Sequence, residues 1–195
     1  MLIGCECSGR VRQAFRDLGH DAWSCDLLPG EDGSEFHIQG DVLTLLGGGW
    51  DLAIFHPTCT YLAVSGLHWN GRVPGRAEKT EEALDFVRLL MDAPIPRICV
   101  ENPVSCISTR IRKPDQIIQP WWFGDDASKK TCLWLKNLPQ LVDTNRLPGD
   151  NKTRRANQTA SGQNKLGPSP TRQADRSRTY AGIARAMATQ WSAIA

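Results

Sequence analysis

The chain has 195 residues, 41% hydrophobic and 23% charged, which is enough for one domain with a buried core and too apolar for a disordered chain. No run approaches the ~18 apolar residues of a membrane span, and no charged region precedes an apolar stretch at the N-terminus, so a soluble, cytoplasmic protein is expected. Seven cysteines, an odd number without a Cys-x-x-Cys pair, argue against a disulfide framework, and the four histidines complete no zinc spacing, so no metal is expected.

Along the chain, Leu2 to Glu6 is a short apolar run of strand type. Gly9 then opens a helical pattern through Val11, Ala14, Phe15 and Leu18 that stops at Gly19. Ala22 to Cys25 predicts a second strand ending at Asp26, and His37 to Gly40 a third, followed by Asp41. Asp51 to Phe55 is a continuous apolar run of the kind buried on both faces of a sheet. Glu78 to Met91 reads as an amphipathic helix, and Pro96 to Val100 as another buried strand that ends at Glu101. Beyond Pro103 the pattern weakens, with one later strand predicted at Thr131 to Leu135. Residues 143–178 are polar, without a hydrophobic period, and read as a loop or small module. Tyr180 to Trp191 returns to helical spacing.

Strands alternating with helices predict an α/β fold with an open, mostly parallel sheet and helices on both faces. Ligands in such sheets bind outside the carboxyl ends of the strands, so the polar residues there matter most. The Cys7-Ser8-Gly9 turn offers flexible backbone and free N–H groups at a helix start. Asp26, about 20 residues on, stands where a carboxylate accepts hydrogen bonds from a ribose diol, or else is an ordinary turn residue. The three-glycine dinucleotide fingerprint is absent, which argues against NAD. Cys59 follows one buried strand and Glu101 ends another, so if those strands are neighbours a thiol and a carboxyl share one pocket. A thiolate is a strong nucleophile, and a carboxyl kept from water can have its pKa raised enough to donate a proton.

In their order and spacing these segments resemble the motifs of the cytosine-C5 DNA methyltransferases, in the small, phage-type form of that family. Ile3 to Gly9 is similar to the first motif, Asp26 to the ribose-binding acid, and Gly40-Asp41-Val42 to the segment that contacts adenine. Asp51 to Ser65, with His-Pro-Thr-Cys at its centre, resembles the Pro-Pro-Cys nucleophile motif, and Glu101-Asn102-Pro103 resembles Glu-Asn-Val. Arg178 to Met187 resembles the last motif, whose helix packs back on the cofactor site. Thr58 and Thr60 depart from the usual residues, and Lys129-Lys130 is the nearest counterpart of the family's Gln-x-Arg-x-Arg motif.

The resemblance implies a Rossmann-like, S-adenosylmethionine-dependent methyltransferase fold, with Cys7, Ser8, Gly9, Asp26, Asp41 and Pro57 around the cofactor. It implies double-stranded DNA as partner, with a cytosine flipped into the pocket, attacked by Cys59 at C6 and held by Glu101 at N3. Asn102, Lys129 and Lys130 belong on the substrate side, Asn102 shaping the nucleophile loop with Pro57. The division expected is a catalytic, cofactor-binding domain at 1–142, a basic loop or minimal recognition module at 143–178 and a C-terminal helix at 179–195.

Charge agrees with a polyanion partner. Residues 145–185 hold nine basic residues and two acids, and the rest of the chain is net acidic. Arg154, Arg155, Arg176 and Arg178 are the expected phosphate contacts. The reduced recognition region leaves room for an accessory partner. RNA as substrate, a modified donor, a catalytically silent nucleic-acid binder and a Cys-His hydrolase using His56 and Cys59 are the alternatives.

Overall fold

A parallel strand covered by helices on both faces exposes no polar side, so its sequence is apolar throughout and its neighbours alternate in burying odd and even residues. The computed structural model describes residues 1–169 and 171–194, and its sheet follows this rule. Seven strands, β1 (Leu2–Gly4), β2 (Trp23–Asp26), β3 (His37–Gln39), β4 (Leu52–Phe55), β5 (Arg97–Pro103), β6 (Gln116–Ile118) and β7 (Thr131–Lys136), lie in the order β3-β2-β1-β4-β5-β7-β6. β1 to β5 are mutually parallel, and β7 runs antiparallel to both β5 and β6.

Ile3, Leu52, Ile54, Cys99 and Leu133 face one layer, where α1 (Arg10–Arg16) supplies Val11 and Phe15 and α5 (Ala181–Trp191) supplies Ile183, Met187 and Trp191. Leu2, Ala53, Phe55, Val100 and Trp134 face the other, against Leu84, Val87 and Leu90 of α2 (Arg76–Met91). Two short helices, α3 (Ile107–Arg110) and α4 (Arg172–Ser177), complete the α-helical elements among the described residues. No helix there is long and apolar enough to cross a membrane.

The structure departs from the sequence reading in three places. β5 continues past Val100 to Pro103, because the antiparallel partner β7 goes on pairing where parallel β4 has stopped, with Glu101 opposite Leu133 and Asn102 opposite Cys132. β6, three residues long, was not foreseen, and α4 stands within a stretch expected to be irregular. Neither is long enough for a hydrophobic period to register. The polar segment 143–169 is tied to the body: the Leu147 N–H donates to the Trp121 carbonyl (2.9 Å), and Asn157 exchanges hydrogen bonds with the Ser128 backbone (2.9 and 3.1 Å).

α1 is anchored from beneath by Arg12, a fully buried cation. Its guanidinium donates to Ser24 Oγ (2.9 Å) and pairs with Asp32, and Ser24 in turn meets His37 Nδ1 (2.9 Å). At the other end of the face, the Gly182 N–H donates to Asp125 Oδ2 (2.8 Å), and a Cβ on Gly182 would lie 2.6 Å from that oxygen and collide with the Phe123 carbonyl. Alanine gains ~1 kcal/mol of helix propensity over glycine, but the collision is with backbone and cannot be relieved by a rotamer change. Gly182→Ala is therefore expected to lower stability by about 1–3 kcal/mol, measured as a lower urea midpoint with an unchanged slope.

Candidate active site

The winding direction of the sheet reverses between β1 and β4, and outside their carboxyl ends lies the crevice that ligands of such sheets occupy. The chain leaves β1 through Cys5, a non-glycine residue at φ +58°, and turns into α1 at Gly9, φ +68°. A Cβ on Gly9 would lie 2.7 Å from Asp32 Oδ2, so the turn takes glycine for space as well as for conformation. The free N–H groups expected here are not free. Glu6 is buried, its carboxylate accepting from the N–H of Val11 (2.8 Å) and Arg12 (3.2 Å) and from the Ser8 hydroxyl (3.2 Å). An acid folded back on the start of α1 takes the place a phosphate occupies in dinucleotide-binding turns, and it would repel one.

The field in this crevice is negative. Asp26 ends β2, and its Oδ1 accepts the Leu28 N–H (2.9 Å), leaving Oδ2 without a protein partner among the described residues. Asp41 caps the turn after β3 by accepting the Leu43 N–H (2.9 Å). Burial first, then the charges of Asp26 and Asp41, push the Cys5 thiol up to about 12. Cys25 rises to about 11 for the same reasons, and Cys7 rises through burial and the nearby Asp26 and Glu31. Leu27 and Leu28, 72% and 61% exposed, form an apolar wall beside Asp26. Arg178 reaches over from the C-terminal segment to pair with Glu31 (2.9 Å), while Arg10 donates to the Thr179 carbonyl (3.1 Å).

On the other side of the reversal, β4 and β5 are neighbours in register, Phe55 opposite Val100, which brings the loop of Cys59 beside Glu101. The two loops are laced together. Asn102 Nδ2 donates to the Pro57 carbonyl (2.8 Å), the Val64 N–H to the Val104 carbonyl (3.2 Å) and the Cys106 N–H to the Leu62 carbonyl (2.9 Å). Cys59 itself is half-buried between Thr58 and Thr60, and its sulfur has no hydrogen-bond partner among the described residues. His56 donates from Nδ1 to Glu101 Oε2 (2.9 Å), with both side chains buried, and its Nε2 makes no hydrogen bond to Cys59 or to any other group among the described residues.

Glu101 corrects a second expectation. Burial alone would raise its pKa, but Lys129 and the His56 hydrogen bond outweigh burial and hold the carboxyl below the usual range. At neutral pH it is a carboxylate, an acceptor, not the proton donor the sequence suggested. Its Oε1 is buried without a partner, as are His56 Nε2 and Asn102 Oδ1. Buried polar atoms are nearly always satisfied, and these three are among eleven unpaired side-chain atoms spread over the described residues. Of the two lysines, Lys129 approaches Glu101 and is half-buried, while Lys130 is exposed.

The expected phosphate contacts divide. Arg154 and Arg176 are exposed. Arg155 is not a surface cation: 5% exposed, it lies 4.5 Å from the Trp121 ring and 3.8 Å from Asp126, a structural stack, because a guanidinium is desolvated most cheaply on an aromatic face. Arg178 is shared between Glu31 and Asp175. Trp121, 2% exposed, packs edge-on against Trp122 and serves the core. Sequence reading passed over His56 as a partner of Glu101 and the segment 61–79, where Tyr61 and Trp69 alternate with Arg72, Arg76 and Lys79. The signal for the second was present as aromatic and basic residues just downstream of the cysteine.

No family model matches the chain, and no curated protein matches it significantly. The buried pair can be tested directly. Glu101 titrates lower in the folded than in the unfolded chain, so its stabilisation is full above the ordinary carboxylate range and is lost as pH falls through the folded value. Glu101→Gln is expected to cost about 1–3 kcal/mol at pH 7, measured by urea unfolding, and to make stability fall less than the parent's between pH 6 and pH 3.

Proposed function

We propose that the chain is an S-adenosylmethionine-dependent methyltransferase that modifies C5 of cytosine in DNA through a covalent bond to Cys59, and that its α/β sheet is of the Rossmann-like methyltransferase type. The observation that carries this reading is the meeting, at one reversal of the sheet, of an acidic crevice and a nucleophile loop laced to a buried carboxylate. The crevice suits a cation. Glu6 blocks the helix start against phosphate, and Asp26 and Asp41 add negative charge that, after burial, helps raise the Cys5 and Cys25 thiols. S-adenosylmethionine carries a positive sulfonium, which such a field attracts and a pyrophosphate would not satisfy.

Asp26 would hold the ribose diol through its unpaired Oδ2, Asp41 the adenine amino group, and the turn Cys7-Ser8-Gly9 the methionine end, with Pro57 on the facing wall. Leu27 and Leu28 give a flat ring an apolar surface to lie on. When bound, the cofactor supplies an electrophilic methyl group. The chain's own residues do the rest. His56 occupies Oε2 of Glu101, so Oε1 is left to accept a hydrogen bond from the amino edge of the base, and the unpaired Asn102 Oδ1 lies on the next residue. The Cys59 thiolate bonds to C6 and the ring electron pair shifts toward C5, which becomes nucleophilic. Once C5 has taken the methyl group, its proton leaves to water and the sulfur–C6 bond breaks, returning the thiolate. Asn102, fastened to the Pro57 carbonyl, keeps the loop from drifting away from Glu101.

Incubation with tritiated S-adenosylmethionine and mixed duplex DNA should place label on C5 of cytosine, and Cys59→Ala should reduce transfer by on the order of 10⁴-fold or more. Cys59→Ser should retain cofactor binding in calorimetry. Label on RNA alone would redirect the substrate, and absence of both transfer and cofactor binding would sink the methyltransferase reading. His56→Ala is expected to lower turnover more than cofactor affinity, by roughly 10- to 100-fold, since it frees the Glu101 carboxylate to rotate.

A further inference from the structure

The segment that follows Cys59 is the most exposed apolar and cationic stretch near the site. Val64, Trp69 and Val73 are 53%, 46% and 45% exposed, a concentration of bare apolar surface within ten residues. Cations are stacked over its aromatic rings: Arg72 lies 5.8 Å from the centre of Trp69, and Arg76 and Lys79 lie 5.0 and 5.7 Å from Tyr61. Arg72, Arg76 and Lys79 have no carboxylate partner among the described residues, and Glu78 is the single acid between residues 60 and 80. The surface is held in shape by Arg76 donating to the Thr60 carbonyl (2.9 Å), Asn70 to Thr80 Oγ1 (2.9 Å) and Thr80 to the Tyr61 carbonyl (3.1 Å). It is thus a prepositioned aromatic and cationic platform that continues directly from the Cys59 loop.

The basic stretch after residue 143 differs in kind. Arg146 pairs with Asp143 (2.5 Å), Arg155 is buried on Trp121, and Arg178 is held by Glu31 and Asp175. Part of its apparent charge is neutralised within the fold.

We propose that residues 61–79 form the nucleic-acid docking surface of this protein, with the exposed Arg72 and Lys79 on backbone phosphates, Arg76 bracing the surface through the Thr60 carbonyl, and the exposed Trp69 stacked on a base. Free cations supply the salt-dependent attraction, and an exposed aromatic face accepts any base. The proposal deepens the methyltransferase reading by giving its substrate a place to sit, and it rests on that reading for the choice of nucleic acid over other polyanions.

The test is fluorescence anisotropy of the full chain with a labelled 20-mer, single-stranded and duplex, without methyl donor, over a range of salt. The variants are R72Q/K79Q, W69A and, on the rival surface, R154Q/R176Q, each checked for an unchanged thermal melt. R72Q/K79Q should lower the magnitude of the salt slope by about one per cation removed. W69A should weaken binding roughly five- to a hundredfold while leaving the slope unchanged. R154Q/R176Q should change affinity less than either. A larger loss in R154Q/R176Q, no loss in the first two, or no binding by the parent chain overturns the proposal. So does binding of the parent to anionic phosphatidylglycerol vesicles but not to the oligonucleotide. Methyl transfer by the parent is scored separately, so failure of this surface and failure of the proposed chemistry are told apart.

Discussion

Because β1 pairs with β2 on one side and β4 on the other, the chain must leave the middle of the sheet in one direction and return to build in the other. That single pairing opens the crevice, since the connections after β1 and β4 run to opposite faces and cannot cover the gap between them. Gly4 sits at the point of closest approach, where a Cβ would lie 2.7 Å from a Val42 methyl and press on the Phe55 ring. The residues of chemical interest follow from it by adjacency. Cys5 to Gly9 leave one central strand, His56 to Cys59 leave the other, and Glu101 stands on the next strand over.

Electrostatics then divides the site. On the side of β1 to β3, burial and then the charges of Asp26 and Asp41 keep the Cys5 and Cys25 thiols protonated. On the side of β4, β5 and β7, a buried carboxylate is held charged by Lys129 and by the imidazole of His56. Burying a charge is costly unless it is paired and hydrogen-bonded, and here the pairing occupies one carboxylate oxygen and spares the other. The sheet thus sets an acidic crevice beside a buried, charged carboxylate, with the Cys59 loop leaving the strand between them, β4.

Much of this was legible beforehand, where the signal was a long apolar run or a polar residue ending one. The strands at 51–55 and 96–100 and the helices at 78–91 and 180–191 announced themselves in the sequence, and Cys59 and Glu101 were expected to share a pocket if their strands were neighbours, as β4 and β5 are. What was not legible depended on partners distant in sequence. Nothing near Arg155 says that Trp121 lies beneath it, and nothing near Glu101 says that Lys129 and His56 will outweigh its burial. Glu6 read as the end of a strand, and only the turn of the backbone at Cys5 and Gly9 aims it at the amides of α1. Net charge along the chain likewise overstated the free cations after residue 143, because composition counts an arginine without counting the carboxylate that holds it.

Sulfur lies around the acidic crevice, with half-buried Cys5 and Cys7 on the turn after β1 and Cys25 buried in β2. Alkylation of cysteine proceeds through the thiolate, whose population falls tenfold for each unit by which the pKa rises above ambient pH. A crevice wall with thiols held near 11 and 12 is therefore almost inert toward an electrophile, although its atoms are soft and polarisable. Burial first, and then the neighbouring carboxylates, thus keep the sulfurs around the crevice in the unreactive thiol form.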